Sequence, residues 1–481
     1  MERTFQAIID STPQLLLRPD LGLNIADPKL PGSTPLIYVV AADRARAEKA
    51  CGDASRVRVF DPVKDGKDLM RADAAHGLLY LPYPYLVPGG RFNEMYGWDT
   101  AFPVFAWAGS HLQLMREQVD NQLYQIDAYG KVLNANRSYY LSRSQPPMIA
   151  AMVLRIWQAA PDRQWLARAY DSLQSYHAYW TSGDRLADGG PLSRYWDEGD
   201  VPSVEVMMGE PGHYDHARAY FRLDRADPAD TALFYDATAD ALTPLYYRAD
   251  RSMRASGFDP TGHWGYGGLD CLFHAPLCLN SLLYRMEGDM AEIAGILGRP
   301  EDSATWRKEQ SARRDSMRKL MFDPATGLYH DYDFRKKRRN TAPFATFFHA
   351  LWAGLYDGDM ATARKAADTM LSALETPYGI ATSAQVSGSQ WDYPYGWPPL
   401  QYFAFEGLRR CGFTDDAKRI AKKYMDLAAR VYHDKGALFE KYNVEKGNAE
   451  VSVINGYNIN VSENGTFLWT AAVLKLAGDV V

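Results

Sequence analysis

The sequence of 481 residues has only four cysteines, no excess of positive charge and no long apolar run. Cys51, Cys271, Cys278 and Cys411 lie scattered, without zinc or redox spacing, and read as reduced thiols of a cytoplasmic protein. Met1-Glu2-Arg3-Thr4 lacks the charged-then-apolar order of a signal peptide, and no apolar stretch is long enough to span a bilayer. A formal net charge of −6 provides no general attraction to nucleic acid or to an anionic membrane. The ten histidines are dispersed, with no HExxH spacing, so no metal is expected. Gly265-Tyr266-Gly267-Gly268 has neither the preceding strand nor the following Lys-Ser/Thr of a phosphate loop.

Aromatic residues are abundant instead, with 31 Tyr and 12 Trp, which suits a site that recognises rings or sugars. The stretch Pro88-Gly89-Gly90-Arg91-Phe92-Asn93-Glu94-Met95-Tyr96-Gly97-Trp98-Asp99 places an arginine, two acids and aromatic rings behind a glycine turn. Arginine and acids bind hydroxyls while rings stack on a sugar's C–H face; equally, Arg91 can pair with Glu94 or Asp99 in a buried turn. Before it, residues 1–87 mix short strands such as 35–40, 57–60 and 78–81, and read as a small α/β cap. After it, apolar positions recur at three- and four-residue spacing, predicting helices at 100–128, 148–160, 163–182, 229–256, 268–297, 300–321, 341–356, 359–374, 398–411, 414–433 and 464–477. Ser144 is expected to cap the second of these. Long polar connections at 184–228, 257–267, 323–340, 375–397 and 435–463 carry most of the acids, tryptophans and glycines. Helix pairs joined alternately by short turns and long loops predict a toroid of about twelve helices over 88–481, with its site at one end.

Glycoside hydrolysis needs two carboxyl groups, one protonated to assist the leaving oxygen and one to activate water or attack. Asp259 lies between Phe258 and Trp264 after Gly257; apolar walls would keep it protonated, or it merely caps a turn before Pro260. Glu440, in Leu438-Phe439-Glu440-Lys441-Tyr442, either projects into a site or forms a surface pair with Lys441. Asp197, Glu198, Glu205 and Asp392 compete, the last inside the aromatic segment 390–399. The basic run Arg335–Arg339 follows Asp331-Tyr332-Asp333 and reads as a solvated loop, not as a nucleic-acid patch.

Together these motifs resemble the trehalase family, glycoside hydrolase family 37. The opening stretch is similar to its first signature, PGGRF followed by E, Y and WD, and Gln390–Trp397 to its second, QWDxPxGW. Asn136–Tyr140 with Arg143–Pro147 resembles NRSYYxxRSQPP; residues 255–264 resemble ASGWDFSSRW, and Glu440-Lys441-Tyr442 its EKY. The resemblance implies an (α/α)6 barrel, an inverting mechanism and no cofactor. Carried over, Asp259 is the acid and Glu440 the base, while Arg91, Trp98, Asp99, Asn134, Arg143, Gln145, Glu205, Gly257 and Trp391 line the sugar site.

Two positions depart from the family. Ser203 stands where an arginine of PRPES contacts the second glucose, and Tyr395 where the second signature has Asn. The segment from Glu205 to Asp259 is longer than usual, and Met207–Gly212 reads as a lid over the leaving-group side. The expected function is hydrolysis of a small α-glucoside, first α,α-trehalose. The alternatives are an α-glucosyl solute such as glucosylglycerate or glucosylglycerol, and an inactive sugar-binding protein on the same fold. An anionic aglycone requires a cation near Ser203, for which Arg194 and His213 are the candidates.

Overall fold

The computed structural model describes residues 4–23, 26–30, 35–210, 212–223 and 226–481. Helix α1 (Phe5–Leu15) starts at Thr4, whose hydroxyl accepts from Ala7 N. A parallel three-stranded sheet follows in the order 57–59, 36–39, 77–79, with α2 (Arg44–Cys51) in the crossover. The next pairs are α3 (Ala101–Trp107) with α4 (Leu112–Tyr129), and α5 (Ile149–Ala159) with α6 (Arg163–Trp180). Three short helices, α7 (Val204–Gly209), α8 (His213–Arg222) and α9 (Pro228–Phe234), precede α10 (Pro244–Ala255). Three more pairs are α11 (Leu277–Ile296) with α12 (Pro300–Leu320), α13 (Phe347–Ala353) with α14 (Met360–Leu374), and α15 (Pro398–Arg410) with α16 (Thr414–Lys435). The last helix is α17 (Leu468–Gly478).

Helices α3, α5, α11, α13, α15 and α17 pack each on the next, and α17 returns to α3, closing an inner ring. Their sequences explain the placement: every residue of α3 and α13 is buried, whereas α12 buries only Arg313 and Met317 and shows its other faces to water. Helices α4, α6, α12, α14 and α16 form the outer layer. The sixth outer place is taken by α1, which packs on α17 and α16. This is the (α/α)6 barrel that the sequence predicts.

Several predicted helices divide. The span 100–128 breaks between α3 and α4, and 229–256 breaks into α9 and α10 around a hairpin pairing 235–236 with 241–242. Thr243 caps α10 through Tyr246 N, and Pro244 opens it, so the chain restarts there. Within 268–297, a 3-10 segment (Tyr266–Phe273) with two left-handed glycines, 267 and 268, ends before Pro276. The connection 184–228 contains α7 and α8. Ser144 is no cap: α5 begins at Ile149, and the Ser144 hydroxyl bonds Tyr176 Oη instead. Of the expected lid, Pro211 and the side chain of Met208 lie outside the described residues.

The loops at one end are knitted to each other. A two-residue ladder pairs Tyr395–Gly396 with Asn443–Tyr442, joining the 390–399 loop to that of Glu440. Asp331 accepts from Trp264 Nε1 (2.6 Å) and Leu277 N (2.7 Å), fastening the loop after Asp259. Phe403 on α15 is fully buried, stacks on His349 and meets Trp352 edge-on. Phe403→Ala removes this filling of the inner ring and should cost about 3–5 kcal/mol. Urea unfolding measures it; an unchanged midpoint would show that the ring does not depend on this contact.

Candidate active site

Asp259, Glu440 and the nine residues carried over for the sugar site all line a single cavity of about 740 Å³, open to solvent at its mouth. The glycine turn that begins it is required by geometry. Gly90 has φ +63° and a Cβ there would stand 3.0 Å from Val461 Cβ. Trp98 hangs its backbone N–H on Gln145 Oε1 (3.0 Å), and Gly97 N reaches Asn134 O (3.1 Å), so the 88–99 and 134–147 motifs are one assembly. Gly257, at φ +80°, leaves room for Trp98: a Cβ would approach its ring to 3.0 Å.

Asp259 stands beside the fully buried Phe258, whose ring meets Trp391 and Trp98 edge-on. Burial pushes the Asp259 carboxyl up to about 7, against the opposing pull of Arg254. Arg254 Nη1 is 3.6 Å from Asp259 Oδ2, outside hydrogen-bond reach. Gln390 Nε2 bonds the backbone oxygen of Asp259. The carboxyl can therefore hold a proton near neutral pH, and its backbone is tied to Gln390.

Glu440 is buried and accepts from Lys441 Nζ (2.7 Å) on one oxygen and from Tyr457 Oη on the other. The pair with Lys441 exists, but inside the molecule: the Lys441 side chain is 0 % exposed, and burial lowers its pKa. Trp469 Nε1 donates to the Glu440 carbonyl (2.8 Å) and holds the strand in place. Asp99, Lys441 and Tyr457 each lie within electrostatic reach of both Asp259 and Glu440, which places the two carboxyl groups around one space.

The remaining walls divide into paired and open groups. Arg143 bonds Glu205 Oε1 (2.5 Å) and leans on Asp197, while Glu205 Oε2 is buried without a partner. Asp99 is held well above the usual carboxylate range by burial, and only its own backbone N–H opposes this by hydrogen bonding. Both can receive sugar hydroxyls. Arg91 pairs with neither Glu94 nor Asp99; its guanidinium lies over the rings of Tyr457 and Phe92. A Cβ at Gly209 would fall 2.4 Å from Arg91 Nη2, so the glycine makes its space. Glu94 pairs with Lys29 and Arg137, which outweigh burial and keep it at about 2.

The competing acids have structural partners. Asp392 accepts from Thr261 Oγ1, Gly262 N, Ser383 Oγ and Ser387 Oγ, tying the loop after Asp259 to the 383–392 loop. Asp197 pairs with Arg251 and Arg143, and Glu198 with Arg185 at the surface. Arg335 and Lys336 of the basic run are engaged by Asp270, and Arg335 also by Asp230. Among the described residues no three His, Cys, Asp or Glu side chains gather as a metal site would require. Tyr395 ties its hydroxyl to Ser452 and does not line the cavity.

Sequence reading missed Tyr457 and Arg254 and had Glu210 only as part of the expected lid 207–212; all three are cavity residues. Tyr457 sits in a polar loop with no motif around it. Arg254 was legible only as the residue five before Asp259.

A family model described as Trehalase matches residues 63–477. The cytosolic neutral trehalase of Kluyveromyces lactis is 33% identical over 398 residues, covering 76% of this chain and 52% of the relative. The chain thus spans about half the length of the curated yeast relatives it matches. The periplasmic trehalase of Xanthomonas campestris is 34% identical over 413 residues, covering 80% and 67% of the two chains. The solved structure of the Saccharomyces cerevisiae neutral trehalase superimposes with a TM-score of 0.81 at 28% identity, over 98% of this chain and 93% of that one. With a closed six-pair barrel, a cavity built from the expected motifs and these matches, the chain belongs to the trehalase family.

Proposed function

We propose that this protein is an inverting glycoside hydrolase that splits α,α-trehalose into two glucose molecules. The observation that carries the reading is the pair of unlike carboxyl groups around one cavity. Asp259 retains its proton to about 7, whereas Glu440 is ion-paired with Lys441. Asp259 delivers its proton to the glycosidic oxygen as the C1–O bond breaks. Glu440 takes a proton from a water molecule whose oxygen bonds C1 from the opposite face. The products are one β-glucose and one α-glucose. The curated names of the relatives and the full-length structural match support trehalose as the substrate.

The leaving-group side favours a neutral partner. Ser203 is buried beneath Arg251, which donates to its hydroxyl (3.2 Å). Arg194 bonds the carbonyls of Asp184 and Leu272, and His213 bonds Asp250, so neither candidate cation serves an anionic aglycone. Arg254 already carries Glu210 and Asp250. Relatives bear both cytosolic and periplasmic names; the four free thiols support the cytoplasm. The engaged Arg335 and Lys336 support a protein without a nucleic-acid partner.

Glucose release from trehalose, glucosylglycerol and glucosylglycerate is the direct test; release only from glucosylglycerate would overturn the neutral leaving group. Asp259→Asn and Glu440→Gln should each lower turnover by about 10²–10⁴-fold while the far-UV spectrum stays native. Appreciable activity in either would sink the assignment. Because the acid works only while protonated, turnover should fall as pH rises through about 7. A rate still climbing well above that pH would remove Asp259 from the role. Proton NMR of the first turnovers should show β- and α-glucose in equal amounts; α-glucose alone would mean retention.

A further inference from the structure

The wall beside Asp259 contains a charge cluster that the reaction scheme leaves unused. Arg254, on the last turn of α10, donates Nη1 to Glu210 Oε1 (2.8 Å), Nη2 to Glu210 Oε2 (3.2 Å) and Nε to Asp250 Oδ2 (3.2 Å). His213, at the start of α8, closes the ring with Nε2 at 3.0 Å from Asp250 Oδ1 and Nδ1 at 3.8 Å from Glu210 Oε2. Glu210 itself is held by its backbone, N to Val206 O at 2.9 Å, at the end of α7. We infer that Glu210 is a positioning residue for the proposed acid: its forked hold on Arg254 keeps the guanidinium 3.6 Å from Asp259, a loose ion pair, and prevents the two from closing into hydrogen-bond contact. The inference rests on the assignment of Asp259 as the acid.

A forked guanidinium–carboxylate pair fixes both distance and orientation. Without the charge on Glu210, Nη1 and Nη2 lose their partner, and Asp250 restrains only Nε. Nη1 then stands released 3.6 Å from Asp259 Oδ2. A hydrogen-bonded pair would favour ionised Asp259 more than the present 3.6 Å separation does, and the proton meant for the leaving oxygen would be lost at lower pH. The other groups around Asp259 are Arg143 with Glu205, Arg91, Asp99, and Glu440 with Lys441 and Tyr457. Among the described residues, the side chain of Glu210 bonds Arg254 and lies beside His213, and no hydrogen bond or ion pair joins it to any of these groups. Glu210 thereby gives the α7–α8 segment a part in the chemistry without touching the substrate's reacting atoms.

The test compares trehalose with α-glucosyl fluoride, whose leaving group needs no proton, across pH in wild type, Glu210→Gln and Arg254→Gln. In Glu210→Gln the alkaline fall of kcat on trehalose should move about one unit towards acid, a loss of about fivefold at pH 7. Its rate on the fluoride should stay within about twofold. Arg254→Gln should move the same limb towards alkali. Equal losses on both substrates with an unmoved limb would make Glu210 a merely structural residue and overturn the inference. Should Glu210→Gln not fold, an unmoved limb in Arg254→Gln overturns it. A wild type that cleaves neither substrate refutes the proposed function itself, and the inference with it.

Discussion

Five carboxyl groups, Asp99, Glu205, Glu210, Asp259 and Glu440, face one cavity, and like charges so close cannot all be ionised without compensation. Three of them have a cation in hydrogen-bond contact: Arg143 on Glu205, Arg254 on Glu210 and Lys441 on Glu440. Asp99 and Asp259 have none, and burial raises the proton affinity of both. The distribution of cations, more than the position of any single acid, decides which of the five carboxyl groups stand paired and which do not. Even Glu94, just outside this group, needs Lys29 and Arg137 together to remain charged in full burial.

The barrel supplies rigidity for that arrangement at long range. Its inner helices end in loops that are cross-tied by short ladders, by Asp331 and by Asp392, so the cavity wall is a network of backbone and side-chain contacts. Closure of the ring by α1 and α17 joins the two ends of the chain, with Thr12 and Thr466 hydroxyls 2.7 Å apart. The Lys29 ammonium, from the segment between α1 and the first strand of the parallel sheet, lines the cavity and pairs with Glu94 behind it.

Much of the site was legible because its residues come in short local blocks: 88–99, 134–147, 255–264, 390–397 and 440–442. Within such a block the backbone itself delivers an arginine, an acid and a ring to one place, and the pattern survives reading in one dimension. Tyr457 and the Glu210–Arg254 pair were not legible, since their meaning arises only when segments far apart in sequence meet. The same holds for the fold. Alternating helices and loops announced the toroid, but the 229–256 helix was read through a hairpin because Leu233, Phe234 and Leu242 continue an apolar pattern past Asp240, whose φ of +50° turns the chain. Ser144 looked like a cap by its position before two prolines; the structure gives its hydroxyl to Tyr176.

Beneath the cavity, Trp391 and Trp397 lie face to face with ring centroids 3.7 Å apart, and Trp98 and Trp469 meet Trp391 at 6.1 and 6.5 Å. Indoles this close share excitation before they emit. Four of the twelve tryptophans thus line the cavity, so part of the protein's ultraviolet absorption and fluorescence arises where a ligand would rest. The molecule carries an optical reporter of its own cavity, with no dye or label added.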